Sequence, residues 1–278
     1  MQIPQTTPGA VGAGYANKAL QRTGKALEKI LERLANARRI NRASDDAAGL
    51  SIAEQLQTQV RGFKMATQNV NDAMSALNIA DGAAGATAGI LQRQRELALQ
   101  ARNDTLTDDQ RQTLDVEYQA LTEELTRIAD AARFNTQNVA AGEGLAAGDA
   151  QIQAGPNPGE TLQLAEINLT ADALGITGTA VATGAQAGAA LGAIDAALAT
   201  MGTQRSTLGV TVNRIESILS NLNVSAANTQ AAESILRDQD MAQGITDLVR
   251  EQLLREGGMR AFSRYQEITA NHLYGLLQ

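Results

Sequence analysis

All four prolines of the 278-residue chain fall in two short stretches, Pro4 with Pro8 near the start and Pro156 with Pro158 in the middle. An interior proline removes a helical hydrogen bond and clashes with the preceding turn. Residues 9–155 and 159–278 are therefore both open to long helices. The apolar spacing uses that freedom. Ala53, Leu56, Val60, Phe63, Val70, Met74 and Leu77 follow steps of three and four with Thr67 in the remaining slot, which is a heptad seam. Ser44 is placed to cap the helix start, with Asp45 and Asp46 adding negative charge to its first turn, and the pattern runs to about Asn103. Gly82, Gly85 and Gly89 interrupt it. Such glycines mark a kink or a close backbone contact, and their spacing of three and four favours close packing on one face.

A second helix is predicted from Thr107, whose spacing to Gln110 is that of a capping box, through Leu114, Tyr118, Leu121, Leu125, Ile128 and Ala132. Leu208, Val212, Ile215, Leu219, Leu222, Ala226 and Thr229 make a third seam. Three such stripes pack as an antiparallel bundle. Between them, residues 135–178 are rich in glycine, and the segments 151–154 and 161–164 alternate on either side of Pro156-Asn157-Pro158-Gly159. That pattern predicts a small β-hairpin. The uncharged stretch Ala173–Ile194 holds five Gly and three Thr, too polar for a membrane span. It is expected to be a flexible connector, and residues 179–200 either begin the late helix or stay mobile.

The expected fold class is therefore mainly α: a long-helix antiparallel coiled-coil bundle with a small β-hairpin region and paired terminal helices. The hydrophobic content of 44% with only four Tyr, three Phe and no Trp suits narrow helix-helix seams. Leu20, Leu27, Ile30, Leu31 and Leu34 form one terminal stripe, and Ile245, Leu248, Val249, Leu253 and Leu254 form another. Each stripe needs a cover, and a helix pair poor in aromatics buries little against the entropy of ordering. The termini are thus expected to become ordered on assembly. The domain reading is paired terminal helices at 1–43 and 239–278, and a helical rod at 44–238 with its hairpin at about 135–178.

Chemistry is sparse. With no Cys and one His, His272, the chain has no disulfide, thiolate or Cys-based zinc site and no obvious triad. Phosphate loops, dinucleotide glycines and His-Glu-x-x-His helices are absent too. Asp45-Asp46, Asp108-Asp109, Glu123-Glu124 and Asp238 with Asp240 read as helix-start electrostatics or solvated faces. Asn168-Leu169-Thr170 is a weak sequon match. No enzyme activity and no cofactor is expected. The net charge of −7 is uneven: in residues 1–44 eight Lys and Arg against two Glu give +6, and the remaining 15 against 28 give −13. Lys18, Arg22, Lys25, Lys29 and Arg33 are spaced like a solvated helix face rather than a nucleic-acid site. Met1 to Ala16 lacks the basic and apolar regions of a cleaved signal.

Several motifs carry a resemblance. The run Arg39-Ile40-Asn41-Arg42-Ala43-Ser44-Asp45-Asp46-Ala47-Ala48-Gly49-Leu50-Ser51-Ile52-Ala53 resembles the N-terminal signature of bacterial flagellins, and Leu91-Gln92-Arg93-Gln94-Arg95-Glu96-Leu97-Ala98 resembles their next block. Residues 151–176 are similar to the flagellin hairpin. Leu208-Gly209, Asn213-Arg214-Ile215-Glu216 and Ala231-Ala232-Glu233-Ser234-Ile235-Leu236-Arg237-Asp238 resemble the C-terminal block. The resemblance covers roughly residues 18–258, with no room for the variable outer domains of many flagellins. Two ends depart from it. Met1 to Gly14 lacks the usual start, and residues 259–274 replace the Gln/Asn-rich helix that usually ends the family.

The resemblance implies a structural subunit that polymerises into the bacterial flagellar filament for motility, secreted by the flagellar type III apparatus to the extracellular flagellum. Its terminal helices would form the inner core around a channel, with self-assembly carried by Leu20, Leu27, Leu31, Leu34, Ile245, Leu248 and Leu253. Implied partners are copies of itself, an export chaperone on the C-terminal stripe, a filament cap protein and hook-filament junction proteins. A host flagellin-sensing Toll-like receptor would contact Gln92, Arg93, Leu97, Gln100 and Glu117. The competing readings are a hook-filament junction protein, a secreted coiled-coil adhesin, and a basic nucleic-acid binder marked by salt-sensitive affinity.

Overall fold

The computed structural model describes residues 8–276, with side chains over 14–271. The expectations placed on His272 and on residues 1–7 lie outside the described residues or side chains. The elements are α1 (Pro8–Asn36), α2 (Ala47–Ala101), α3 (Asp108–Ala131), β1 (Arg133–Phe134), β2 (Gln137–Asn138), β3 (Gln151–Gln153), β4 (Thr161–Gln163), α4 (Gly184–Arg237) and α5 (Met241–Leu276), with a single 3-10 turn at Gly144–Ala146. The fold is mainly α, with long antiparallel helices and two short antiparallel strand pairs. It divides into two compact units: one of Met1–Thr58 with Thr229–Gln278, the other of Gln59–Asn228.

The second unit holds the core. In α2 most buried positions form two columns at seven-residue spacing, Val70, Leu77, Ala84, Leu91 and Ala98 beside Ala66, Ala73, Ala80, Thr87, Gln94 and Ala101, flanked by Ala76, Ala83 and Leu97. In α4 the column Ala187, Ile194, Met201, Leu208, Ile215 and Leu222 does the same. A strict seven-residue repeat keeps one seam facing the partner helix. Arg95 pairs with Asp195 at 2.7 Å and Asp81 with Arg205 at 3.2 Å, so α2 and α4 run antiparallel. The α3 stripe closes the third side through Tyr118 and Leu125.

Local signals behave unevenly. Thr107 and Gln110 form the expected reciprocal capping box, and β3 pairs with β4 in the register Ile152 to Leu162, as expected. The start of α2 is corrected. Asp45 donates its N–H to Arg42 O at 2.9 Å in a turn, so the helix begins at Ala47, and Asp46 rather than Ser44 caps it by accepting from Gly49 N at 2.9 Å. The glycine expectation is also corrected. Helix α2 runs unbroken past Gly82, Gly85 and Gly89, all exposed, and a Cβ on any of them would meet nothing within 4 Å. The close packing falls to Ala80, Ala83 and Ala84 instead.

Ala173–Ile194 is not a free connector. Leu174, Ile176 and Val181 are buried, Thr183 accepts from Gln186 N at 3.3 Å, and α4 has begun by Gly184. The β1–β2 hairpin went unforeseen. Its two-residue turn places Asn135 at φ 45° and Thr136 at φ 70°, the positive angles of a primed turn. A β-branched residue there gives no turn signal.

Candidate assembly and receptor-contact surfaces

In the unit formed by the chain ends, α1 packs against α5. A Cβ on Gly244 would lie 2.7 Å from Leu34 Cδ2, and one on Gly258 3.1 Å from Leu20 Cδ2. The two helices therefore run antiparallel, and both glycines let them approach. Between them opens a groove of about 300 Å³ lined by Ala16, Ala19, Leu20, Leu254, Gly258 and Phe262 among others. Leu20, Leu27, Leu34 and Leu248 are half-buried in this unit, whereas Leu31 at 48%, Ile245 at 52% and Leu253 at 64% stand exposed. Met241 and Val249 extend the exposed set, so that 241, 245, 249 and 253 follow steps of four along α5. Met241 escaped the sequence reading because it begins the helix.

Short connectors tie this unit together. Arg39 N donates to Arg237 O at 2.7 Å and Gln239 N to Ala37 O at 3.0 Å, with Ile40 fully buried beside them. Asp45 accepts from Asn41 N at 3.2 Å and Arg42 N at 3.3 Å, and pairs with Lys29 Nζ at 2.6 Å. Lys29 holds the Asp45 carboxyl at a pKa of about 2, helped by the two backbone donors and opposed by burial. The basic stripe of α1 is thus partly spent on fixing the connector.

The second surface sits on the α2–α3 hairpin. Arg93 donates from Nη2 and Nε to Glu117 Oε1 at 2.8 and 3.0 Å and from Nη1 to Glu96 at 3.1 Å. Both carboxylates hold the guanidinium protonated, Glu117 foremost. Gln92, Arg93, Gln100 and Glu117 are exposed around this pair. Leu97 departs from that grouping. At 1% exposure it belongs to the core, because the heptad turns it inward beside Ala98.

The chain matches the bacterial flagellin N-terminal helical region over residues 13–144 and the bacterial flagellin C-terminal helical region over residues 191–274. It belongs to the bacterial flagellin family. It is 34% identical to a flagellar filament 31.3 kDa core protein of Treponema maltophilum, over 96% of this chain and 98% of that one. It is 38% identical to a flagellin of Halalkalibacterium halodurans, over 82% and 84%. The crystal structure of Bacillus cereus flagellin superposes with a TM-score of 0.50 at 32% identity, covering 60% of this chain and 94% of that one. The family is one of structural proteins, and as a flagellin the chain is a structural subunit of the flagellar filament.

Several residues that position the α2–α3 hairpin were not singled out from sequence. Gln94, buried in the α2 seam, donates from Nε2 to Thr122 Oγ1 at 2.8 Å and to Tyr118 O at 3.3 Å, fixing the two helices in register. Arg111 closes the end of α2, donating to Ala101 O at 2.9 Å and Asn103 O at 3.2 Å while pairing with Asp108. Asp115 accepts from Val181 N at 2.6 Å, Gln119 donates to Thr179 O at 2.9 Å, and the Tyr118 and Thr179 hydroxyls share a 2.7 Å bond. Burial raises the Tyr118 pKa. Asp115, Tyr118 and Gln119 share one helix face by their three- and four-residue spacing, the one signal that could have marked this latch.

Proposed function

We propose that this flagellin polymerises by covering the exposed apolar face of the α1–α5 unit with neighbouring copies, after export through the flagellar type III apparatus. The observation that carries the reading is the Met241, Ile245, Val249 and Leu253 stripe, exposed on a helix whose other side is already paired. A contiguous apolar strip of this kind marks an interaction surface. Head-to-tail contacts between unlike surfaces do not close, so they propagate a helical polymer. Leu31, Ile245 and Leu253 then supply the contacts between copies, and Leu20, Leu27, Leu34 and Leu248 the pairing within each copy. Before export an apolar stripe of this kind requires masking, the role of a dedicated chaperone. Growth at the tip under a cap protein, on a base of hook-filament junction proteins, places the product outside the cell. Negative-stain electron microscopy of the chain mixed with short filament seeds tests this. Seeded filaments from the full chain but not from one lacking residues 1–40 are expected. Discrete particles from both overturn the reading.

A receptor reading rests on the exposed Arg93–Glu117 pair. Gln92, Arg93, Gln100 and Glu117 offer a flagellin-sensing Toll-like receptor a rigid polar face whose charges are already oriented. Arg93→Ala is expected to weaken activation by purified monomer in a dose-response assay. An unchanged curve removes this role.

A further inference from the structure

We propose that the Arg61–Lys64–Met65 face of α2 docks onto the carboxylates Glu143, Asp149 and Glu166 of a second copy of this chain. The inference rests on the filament reading above and adds to it a contact within the second unit. Arg61 and Lys64 are exposed, neither has an ion-pair or hydrogen-bond partner among the described residues, and Met65 beside them is 56% exposed. Charge around them on the helices is sparse, and the β3–β4 turn whose Pro156 sits on Gly62 brings only Glu160, a carboxylate already engaged by Asn157. Residues 59–71 contain no other charge, and residues 217–228, brought alongside by the antiparallel register of α2 and α4, contain none at all. A helix face with two unpaired cations around an apolar side chain has the composition of an interface rim and centre.

The complementary surface lies in the same unit. Residues 134–204 contain six Asp and Glu and not one Lys, Arg or His. Two of the six are engaged at home, Glu160 by Asn157 and Asp195 by Arg95. Glu143, Asp149 and Glu166 are exposed and their carboxylates have no partner among the described residues. Backbone bonds from Gly142 N to Ile167 O and from Leu164 N to Ala150 O set their two segments side by side. Asp149 and Glu166 line one open groove with Arg214, which pairs with neither. The three carboxylates and this guanidinium leave −2, against +2 on the α2 face.

No ion pair joins the two surfaces within one copy. Each is therefore free for the other across a heterologous contact, which needs two different, matching patches on every subunit. Complementary charge of this kind steers encounter and fixes register.

Seeded elongation of the full chain, followed by light scattering at low ionic strength, tests the match. R61E/K64E is expected to slow elongation about tenfold, and D149K/E166K likewise, because each sets like charges face to face. The four substitutions together are expected to recover to within about threefold of the original rate, and added salt to narrow every difference by screening. Circular dichroism should show all variants folded, since the substituted side chains have no partner to lose. Unslowed elongation of R61E/K64E overturns the contact, and so does failure of the fourfold variant to recover. If the unsubstituted chain does not extend seeds, the filament reading itself falls and this inference with it.

Discussion

The two units invert each other's use of apolar residues. Among the described residues, the terminal unit buries only Ile40 and Ala53 as fully enclosed apolar side chains, whereas every other buried apolar residue lies in the unit of 59–228. Exposure runs the other way. Eleven of the seventeen exposed large apolar side chains belong to the terminal unit, six of them along α5 between Met241 and Met259. Burial of apolar area is the dominant favourable term in folding. One unit therefore stabilises itself, and the other presents what it needs covered. The contrast is the one that the proposed assembly through the terminal unit requires.

Two substitutions test the contrast at its strongest. Leu125→Ala opens a cavity in the three-helix core and is expected to cost about 2–5 kcal/mol in urea denaturation, with polymerisation lost only through unfolding. Leu253→Asp places a charge on an already exposed side chain and is expected to leave the monomer within about 0.5 kcal/mol of its stability while abolishing seeded growth. Equal losses of stability from both would break the comparison. Amide hydrogen exchange gives a map of the same difference, with α5 expected to exchange before Leu125 and its neighbours.

The self-stabilised unit was the easier to read in advance. Its α2 and α3 seams, the capping box at Thr107 and the β3–β4 hairpin follow from local spacing and turn chemistry, which sequence carries directly. The first half of α4 was legible only as one of two alternatives, because its column runs Ala187, Ala190 and Ile194 among glycines, and alanine is too weakly apolar to stand out from a connector. The Asn135-Thr136 turn was hidden for the opposite reason, a residue forced by its surroundings into an angle it does not favour. In the assembly surface the stripe was visible, but which leucines face the partner helix and which face outward depends on the α1–α5 crossing. Among the residues that the resemblance implies for receptor contact, Leu97 is buried, because motif position says nothing about which side of a heptad a residue occupies.

Gly62 sharpens the comparison inside the self-stabilised unit. A Cβ there would lie 2.6 Å from Pro156 Cβ and 3.1 Å from its Cα, so the β3–β4 turn rests directly on α2 and its backbone must move to admit one. Gly62→Ala is expected to destabilise by about 1–3 kcal/mol, despite the gain in helix propensity, with urea denaturation as the readout.

Asp45 probes the terminal unit, where polar fixing substitutes for a core. Its folded pKa of about 2 lies below the ordinary carboxylate value of about 3.9. The associated stability is therefore fully present above about pH 4 and is lost as pH falls from there toward 2. With solvent screening the contribution is about 1 kcal/mol. Asp45→Asn should lower the stability of the terminal unit by that amount at pH 7, with the gap to the original chain closing below pH 4. Hydrogen exchange at Asn41 and Arg42 is the local readout, since both backbone amides donate to this carboxylate.

Gly85 gives the smallest effect and the reverse sign. It lies on the exposed face of α2, where an added Cβ would meet nothing within 4 Å, so alanine costs no packing and removes the backbone freedom that glycine loses on entering a helix. Gly85→Ala should stabilise the unit of 59–228 by about 0.5–1 kcal/mol. Thermal unfolding and seeded elongation should be read together on this variant. A gain in melting temperature with unchanged elongation means the glycine is incidental to assembly. A gain in stability with slowed elongation would place a neighbouring copy against that face, and the division of labour between the two units would then have to admit a contact on the side of α2 that the monomer leaves bare.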